Sequence, residues 1–122
     1  MYIIYKEFNI WQFHKNINKI DELFVTKEIL NEIEDVLRRP KFYADKYGIY
    51  DYLKSIEEIA NIVIPHKQIF NGSRDKSDNK YVECGIAVNA DYIISGDIHL
   101  LELNEYDKIK IVTAKHYLEI VN

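Results

Sequence analysis

Two hydrophobic periods alternate along the chain. Short apolar runs bounded by polar or turn residues predict buried strands at residues 22–25, 61–64, 92–95 and 109–112. Apolar residues at helical spacing predict helices at residues 4–16, 27–39, from 48 onwards, from 78 onwards, around residue 100 and at 116–121. Thr26 is placed to cap the second helix, and Pro40 limits its extent.

Strands that alternate with helices predict a parallel sheet with helices on both faces. The fold class is therefore α/β, with three layers. Right-handed crossovers bring the carboxyl ends of the strands to one edge of the sheet, which is where open α/β sheets bind ligands. The residues that follow each strand are therefore the candidates for a functional site.

Bulk composition narrows the class of protein. A chain of 122 residues with 48% hydrophobic and 30% charged residues fits one globular domain, over residues 1–122. The single cysteine, Cys84, excludes an internal disulfide, and we expect it in the core. No apolar run is long enough to cross a membrane and no secretory signal is visible, so we expect a cytoplasmic protein. The net charge of −4 argues against a surface built for non-specific DNA binding.

Acidic residues stand where the predicted sheet edge needs them. Asp97 follows the strand at 92–95 after a glycine, and Asp78 and Asp75 follow a polar loop at a helix start. Each of these also suits a helix cap, and the local pattern leaves both roles open. Glu32 lies on a flank of the helix at 27–39, as does Glu34 on the other flank, and helical geometry does not choose between them.

Carboxylates gathered at one edge repel one another and need a cation. Oxygen ligands suit Mg²⁺ and Mn²⁺, which activate water for attack at phosphorus. Other chemistries find little support, because the four histidines lack zinc-like spacing and no phosphate-binding glycine loop or nucleophile motif is present. The pattern therefore favours a phosphodiesterase that needs no covalent nucleophile.

Four stretches follow one another along the chain: FVTKEILNEIEDVLRRPKF at 24–42, RDKSDNKY at 74–81, ADYIISGD at 90–97 with the leucines at 100 and 101, and KIVT at 110–113. These stretches resemble the PIN-domain family, in particular the branch of toxin components of toxin–antitoxin pairs. Together they extend over about residues 17 to 120 in the family's order. The resemblance implies a metal-dependent endoribonuclease with Mg²⁺ or Mn²⁺ as cofactor, RNA as substrate, a cognate antitoxin as partner and a homodimer as a further expectation, with no membrane contact.

Carried over by motif, the resemblance assigns the catalytic and metal-binding roles to Asp97, Asp78 and Glu32, with Asp75 as an auxiliary metal ligand. Ser95 and Thr113 would support these acids by hydrogen bonds. His99 stands where the family usually has a second acid after Asp97.

The first residues depart from the family pattern. The family opens with a central strand that ends in Asp-Thr-Asn, and no such motif is present. A strand at Tyr2–Tyr5 would put Lys6 near the acid's position and leave a short link to residue 22, so we expect a chain that starts inside the family's first helix and lacks the central strand. Such a chain is incomplete at its N-terminus, and its activity is in doubt.

Three hypotheses follow. The chain is a truncated form of a true nuclease, a catalytically degenerate module that only binds partners, or another acid-edged α/β protein such as a receiver-like domain. The last would need a pair of acids after a first strand, which is missing, although Lys115 follows the last strand as that class requires.

Overall fold

A computed structural model describes residues 1–6, 10–16, 21–40, 45–65 and 76–121. Six strands lie within these ranges: β1 Tyr2–Lys6, β2 Glu22–Thr26, β3 Ala60–Val63, β4 Tyr92–Ser95, β5 Glu105–Tyr106 and β6 Ile109–Val112. The helices are α1 Ile10–His14, α2 Lys27–Leu37, α3 Lys46–Ile59, α4 Asn79–Val88, α5 Ile98–Leu103 and α6 Ala114–Val121, and a 3₁₀ turn at Lys76–Asp78 leads into α4.

The strands form one sheet in the order β3-β2-β1-β4-β6-β5. Every neighbouring pair is parallel except β5 and β6, which form an antiparallel hairpin. The predicted α/β fold with a mostly parallel sheet between helices is therefore confirmed. No helix in the described part of the chain is long and apolar enough to cross a membrane.

The expectation that the chain begins with a helix and lacks a central strand is wrong. Tyr2–Lys6 forms β1, which lies between β2 and β4 and pairs with both. Ile3 and Ile4 are fully buried, as in a strand covered on both faces, so their apolar side chains favour a strand over the helical spacing that we inferred. The connection at 7–21 is also long enough, because a parallel crossover needs about a dozen residues.

Side chains of the central strands alternate between two helical layers. Tyr5 stacks on Phe13 of α1 with ring centroids 4.4 Å apart, and Tyr92 contacts Tyr117 of α6 at 5.0 Å. On the opposite face, α4 packs so closely that a Cβ atom added at Gly85 would lie 3.2 Å from Ile109 and 3.6 Å from Ile93. The sheet is thus held rigidly between helices.

Side chains cap the starts of two helices. The Thr26 hydroxyl closes β2 and accepts a hydrogen bond from the Ile29 N–H at 3.1 Å, which caps α2 as predicted. Asp45 caps α3 in the same way through the Gly48 N–H at 2.7 Å. Because Thr26 also ends β2, its cap fixes the direction in which α2 leaves the carboxyl edge of the sheet.

Candidate functional site

The carboxyl ends of the two central strands bring the candidate residues together. Lys6 ends β1 and is paired in register with Ser95, which ends β4. Asp97 follows two residues after Ser95, and Asp78 ends the 3₁₀ turn that leads into α4, which packs on this face of the sheet. Three separate segments therefore converge at one point.

Lys6 lies between the two acids at this place. The Lys6 Nζ atom lies 3.3 Å from Asp78 Oδ1 and 3.2 Å from Asp97 Oδ2. The Asp78 side chain is 1% exposed, whereas those of Lys6 and Asp97 are 19% and 24% exposed. We refer to Lys6, Asp78 and Asp97 as the Lys6 bridge.

The Lys6 bridge perturbs its own members. Burial alone would lower the pKa of Lys6, but the negative charges of Asp78 and Asp97 outweigh it and raise that pKa above its ordinary value. Burial alone would raise the pKa of Asp97, yet the hydrogen bond from the His99 N–H and the contact with Lys6 lower that pKa below its ordinary value. Lys6 and Asp97 are therefore both charged at neutral pH in this arrangement.

Asp97 has two tasks at once. Its Oδ1 atom accepts a hydrogen bond from the His99 N–H at 2.8 Å and so caps α5, while Oδ2 faces Lys6. The buried Ser95 hydroxyl accepts a hydrogen bond from the Asp97 N–H at 2.9 Å. The sequence left open whether Asp97 caps a helix or belongs to the site. In the structure the same side chain caps α5 and faces Lys6.

Glu32 belongs to an adjoining part of the same polar network. The Tyr81 hydroxyl donates a hydrogen bond to Glu32 Oε2, and Lys80 Nζ lies 3.5 Å from the same oxygen. The Tyr81 ring lies between these groups and the Lys6 bridge, with Lys6 Nζ 5.4 Å from its centroid. Glu34, the other flank acid, instead pairs with Arg38 at 3.1 Å on the exposed side of α2.

The remaining predicted residues are less closely connected. Asp75 lies outside the described residues. The Thr113 hydroxyl accepts a hydrogen bond from the His116 N–H at 3.1 Å, at the start of α6. Cys84 is fully buried, as expected of a core residue, and burial raises its pKa to about 12.

The fit of a divalent cation can be judged from Lys6. Its ammonium group is a positive charge that two carboxylates from different segments already surround, so the donor atoms are oxygens aimed at a cation. A third acid is not in place, since no three residues among histidine, cysteine, aspartate and glutamate in the described ranges lie close enough to hold a metal ion. Asp78 and Asp97 therefore suit a hard cation in type, with Lys6 as its stand-in.

The sequence did not lead us to place Lys6 in the site. A strand at Tyr2–Tyr5 puts Lys6 near the acid's position, and we set that interpretation aside because of this lysine and the short link to residue 22. The available signal was the apolar run Tyr2–Tyr5 followed at once by a charged residue, which is how a central strand ends.

Comparison with known proteins agrees with this architecture. A family model described as PIN domain matches residues 12–99, well over half of the chain. The matched stretch contains Glu32, Asp78 and Asp97, whereas Lys6 lies before it. No curated protein sequence matches the chain.

Proposed function

The chain belongs to the PIN-domain family, whose members are in general nucleases, and from this membership we propose that it is a metal-dependent endoribonuclease. Its substrate would be RNA and its cofactor Mg²⁺ or Mn²⁺. The reaction proposed is hydrolysis of a phosphodiester bond by water, with Asp97, Asp78 and Glu32 as the essential acids.

One observation carries the proposal. Asp78 and Asp97 come from different segments, yet both place a carboxylate oxygen within 3.3 Å of the same cationic nitrogen. Two carboxylates that meet at the carboxyl edge of a parallel sheet are suited to Mg²⁺ or Mn²⁺, which prefer oxygen ligands and leave room for water and phosphate. When bound, such an ion lowers the pKa of a water ligand and offsets charge on the phosphate.

The chain's own residues have distinct parts in this proposal. Burial and close packing of α4 hold Asp78 in one place, and capping of α5 fixes the rotamer of Asp97. The hydroxyl of Tyr81 donates a hydrogen bond to Glu32 and so restricts its rotamer. The Ser95 hydroxyl supports Asp97 by accepting the hydrogen bond of the Asp97 backbone N–H, whereas Thr113 and Asp75 remain proposed auxiliaries.

A second candidate function has its own supporting observation. Lys6 occupies the position between the two acids, and the described residues contain no group of three metal-binding side chains. A chain with this centre would keep the PIN fold as a binding module, for RNA or for an antitoxin, without hydrolysis. The two functions differ in one measurable respect, which is cleavage.

The test is cleavage of labelled single-stranded RNA by the purified chain. We expect fragments with Mn²⁺ or Mg²⁺ and none with a chelator. Asp97→Asn and Asp78→Asn should abolish cleavage, while Asp35→Asn, which changes an exposed acid on α2, serves as the matched control. Binding of RNA without cleavage at saturating Mn²⁺ would establish the binding module instead, and cleavage by Asp97→Asn would remove that residue from the site.

The role as a toxin is part of the same proposal and is supported by the resemblance of motifs at 24–42, 74–81 and 90–97. A toxin of this kind should arrest growth when the chain is expressed, and Asp97→Asn should relieve the arrest. Equal arrest by both proteins would refute a toxin activity based on cleavage. A cognate antitoxin and a homodimer are the partners proposed.

A further inference from the structure

We propose that Lys6 is a resident counter-ion of this site, so that its ammonium group and a divalent cation compete for the space between Asp78 and Asp97. The inference rests on the proposed function, since it concerns the ion which that function requires. Lys6, which lies before the residues that match the family model, would then control metal binding.

The position of Lys6 is set by the backbone. It is the last residue of β1, paired with Ser95 in the middle of the sheet, so its Cα atom cannot move away without loss of central strand pairing. Its side chain must leave from the point where the two acids meet. A cation is therefore supplied covalently at the place where a free ion would have to bind.

Charge explains why the two cations compete. The two carboxylates carry two negative charges, of which Lys6 already balances one at 3.2–3.3 Å. A divalent ion that entered beside the ammonium group would meet a like charge at a separation of a few ångströms, where screening by water is weak. Entry of the ion thus requires the ammonium group to leave.

The side chain is able to leave. Lysine carries its charge on a flexible four-carbon stem, and that of Lys6 is 19% exposed, so solvent lies within reach of its end. The competition is therefore reversible, and it lowers metal affinity without abolishing it. Tyr81 links the event to Glu32, because its ring contacts Lys6 and its hydroxyl binds Glu32.

A purely structural ion pair makes a different prediction. If Lys6 only stabilised the fold, its removal would destabilise the protein and leave Mn²⁺ binding unchanged. If it competes, its removal should tighten Mn²⁺ binding and make folding stability depend more strongly on Mn²⁺ than in the wild type. The second pair of effects separates competition from structural support.

The experiment is a calorimetric titration of the full chain with Mn²⁺, which measures the affinity, together with thermal unfolding in the presence and absence of Mn²⁺. We expect Lys6→Met to bind Mn²⁺ at least about tenfold more tightly than the wild type, since one nearby positive charge is removed. Lys110→Met is the matched control, because Lys110 is an exposed lysine of the same sheet that is paired with Tyr92, at the opposite end of β4. It should leave Mn²⁺ affinity unchanged.

Two further variants keep the result interpretable. Lys6→Gln retains a polar donor without the charge, and it decides the question if Lys6→Met fails to fold. Adding Asp97→Asn to either variant should remove the gain in affinity. A Lys6→Gln protein that folds and binds Mn²⁺ no more tightly than the wild type would overturn the inference.

This outcome is independent of cleavage. A gain in Mn²⁺ affinity without RNA hydrolysis would support competition at the site and refute the nuclease proposal. Hydrolysis by the wild type with no gain on removal of Lys6 would support the nuclease and refute competition.

Discussion

Replacement of Lys6 by methionine should also reveal how much the Lys6 bridge stabilises the fold in the absence of metal. Methionine keeps an unbranched apolar stem and removes only the charge. Asp78, which is 1% exposed, would then keep a buried carboxylate without this counter-ion. Loss of one partner of a buried pair costs roughly 3–5 kcal/mol, and the partial exposure of Lys6 places our expectation at about 2–3 kcal/mol.

A double-mutant cycle with Asp78→Asn isolates the pair. The amide removes the buried charge, so the double variant should be more stable than the sum of the two single effects implies, by at least about 1 kcal/mol. The assay is urea unfolding at pH 7 in a chelating buffer. At this pH Lys6 is charged, since its raised pKa preserves its contribution to stability until the pH rises through the pKa of the folded state.

The exposed pair of Lys54 and Glu57 on α3 is the control for this cycle. Their charged atoms lie 3.4 Å apart, close to the separations in the Lys6 bridge, but water surrounds them. Substitution of both should therefore be additive within error. Additive effects of Lys6→Met and Asp78→Asn as well would refute our claim that burial makes the Lys6 bridge a stabilising unit.

Three further predictions concern other parts of the molecule. Because the pKa of Asp97 is lower in the folded than in the unfolded state, its ionised form stabilises the fold at a pH above the unfolded-state pKa, and this stability is lost as the pH falls through the folded-state pKa. Wild-type stability should therefore decline more steeply on acidification below about pH 4 than that of Asp97→Asn, and parallel curves would contradict this. Cys84 should resist a thiol reagent at pH 8 and react once urea unfolds the chain, and prompt labelling would disprove its burial. Tyr117→Phe should lose about 1–2 kcal/mol in urea unfolding, because the hydroxyl donates to Asp21 at 2.9 Å, and unchanged stability would show that this bond contributes nothing.

Strands with continuous apolar runs could be predicted closely from the sequence. The bounds of β4 and β6 are those expected, β2 extends one residue further, and β3 begins and ends one residue earlier than expected. Burial on both faces of a parallel sheet, as in β4, requires such runs, so composition alone marks them. Helix starts were located nearly as well at Thr26, where a capping side chain follows a strand.

Two elements were not predictable in the same way. The run at Tyr2–Tyr5 suits a strand, but neighbouring apolar residues also fall at helical spacing, and only pairing with β2 and β4 decides between these structures. The hairpin from β5 to β6 turns through Asp107 and Lys108, which both have positive φ (49° and 72°). Such turns usually contain glycine or asparagine, so the sequence carries no signal for this one.

The candidate site was predictable in its acids and not in its cation. Asp78 and Asp97 stand at positions that local pattern and family resemblance both indicate. Their approach to Lys6 depends on the register of β1 with β4, which is a tertiary property that no local motif encodes. The first strand of the family ends in an acid, whereas in this chain β1 ends in the positively charged Lys6.

A lysine at this position can meet one of the two requirements that a metal ion would meet, namely a positive charge beside the carboxylates, but not the other, the chemistry of hydrolysis. Carboxylates gathered at a buried edge destabilise a fold unless a positive charge offsets them, and a free ion supplies both that charge and the chemistry of hydrolysis. In this chain the Lys6 ammonium group lies beside Asp78, so the edge has a positive charge even without metal. On the two proposals made above, a divalent ion would have to displace that group before hydrolysis, and the activity would increase with the fraction of molecules from which Lys6 has withdrawn.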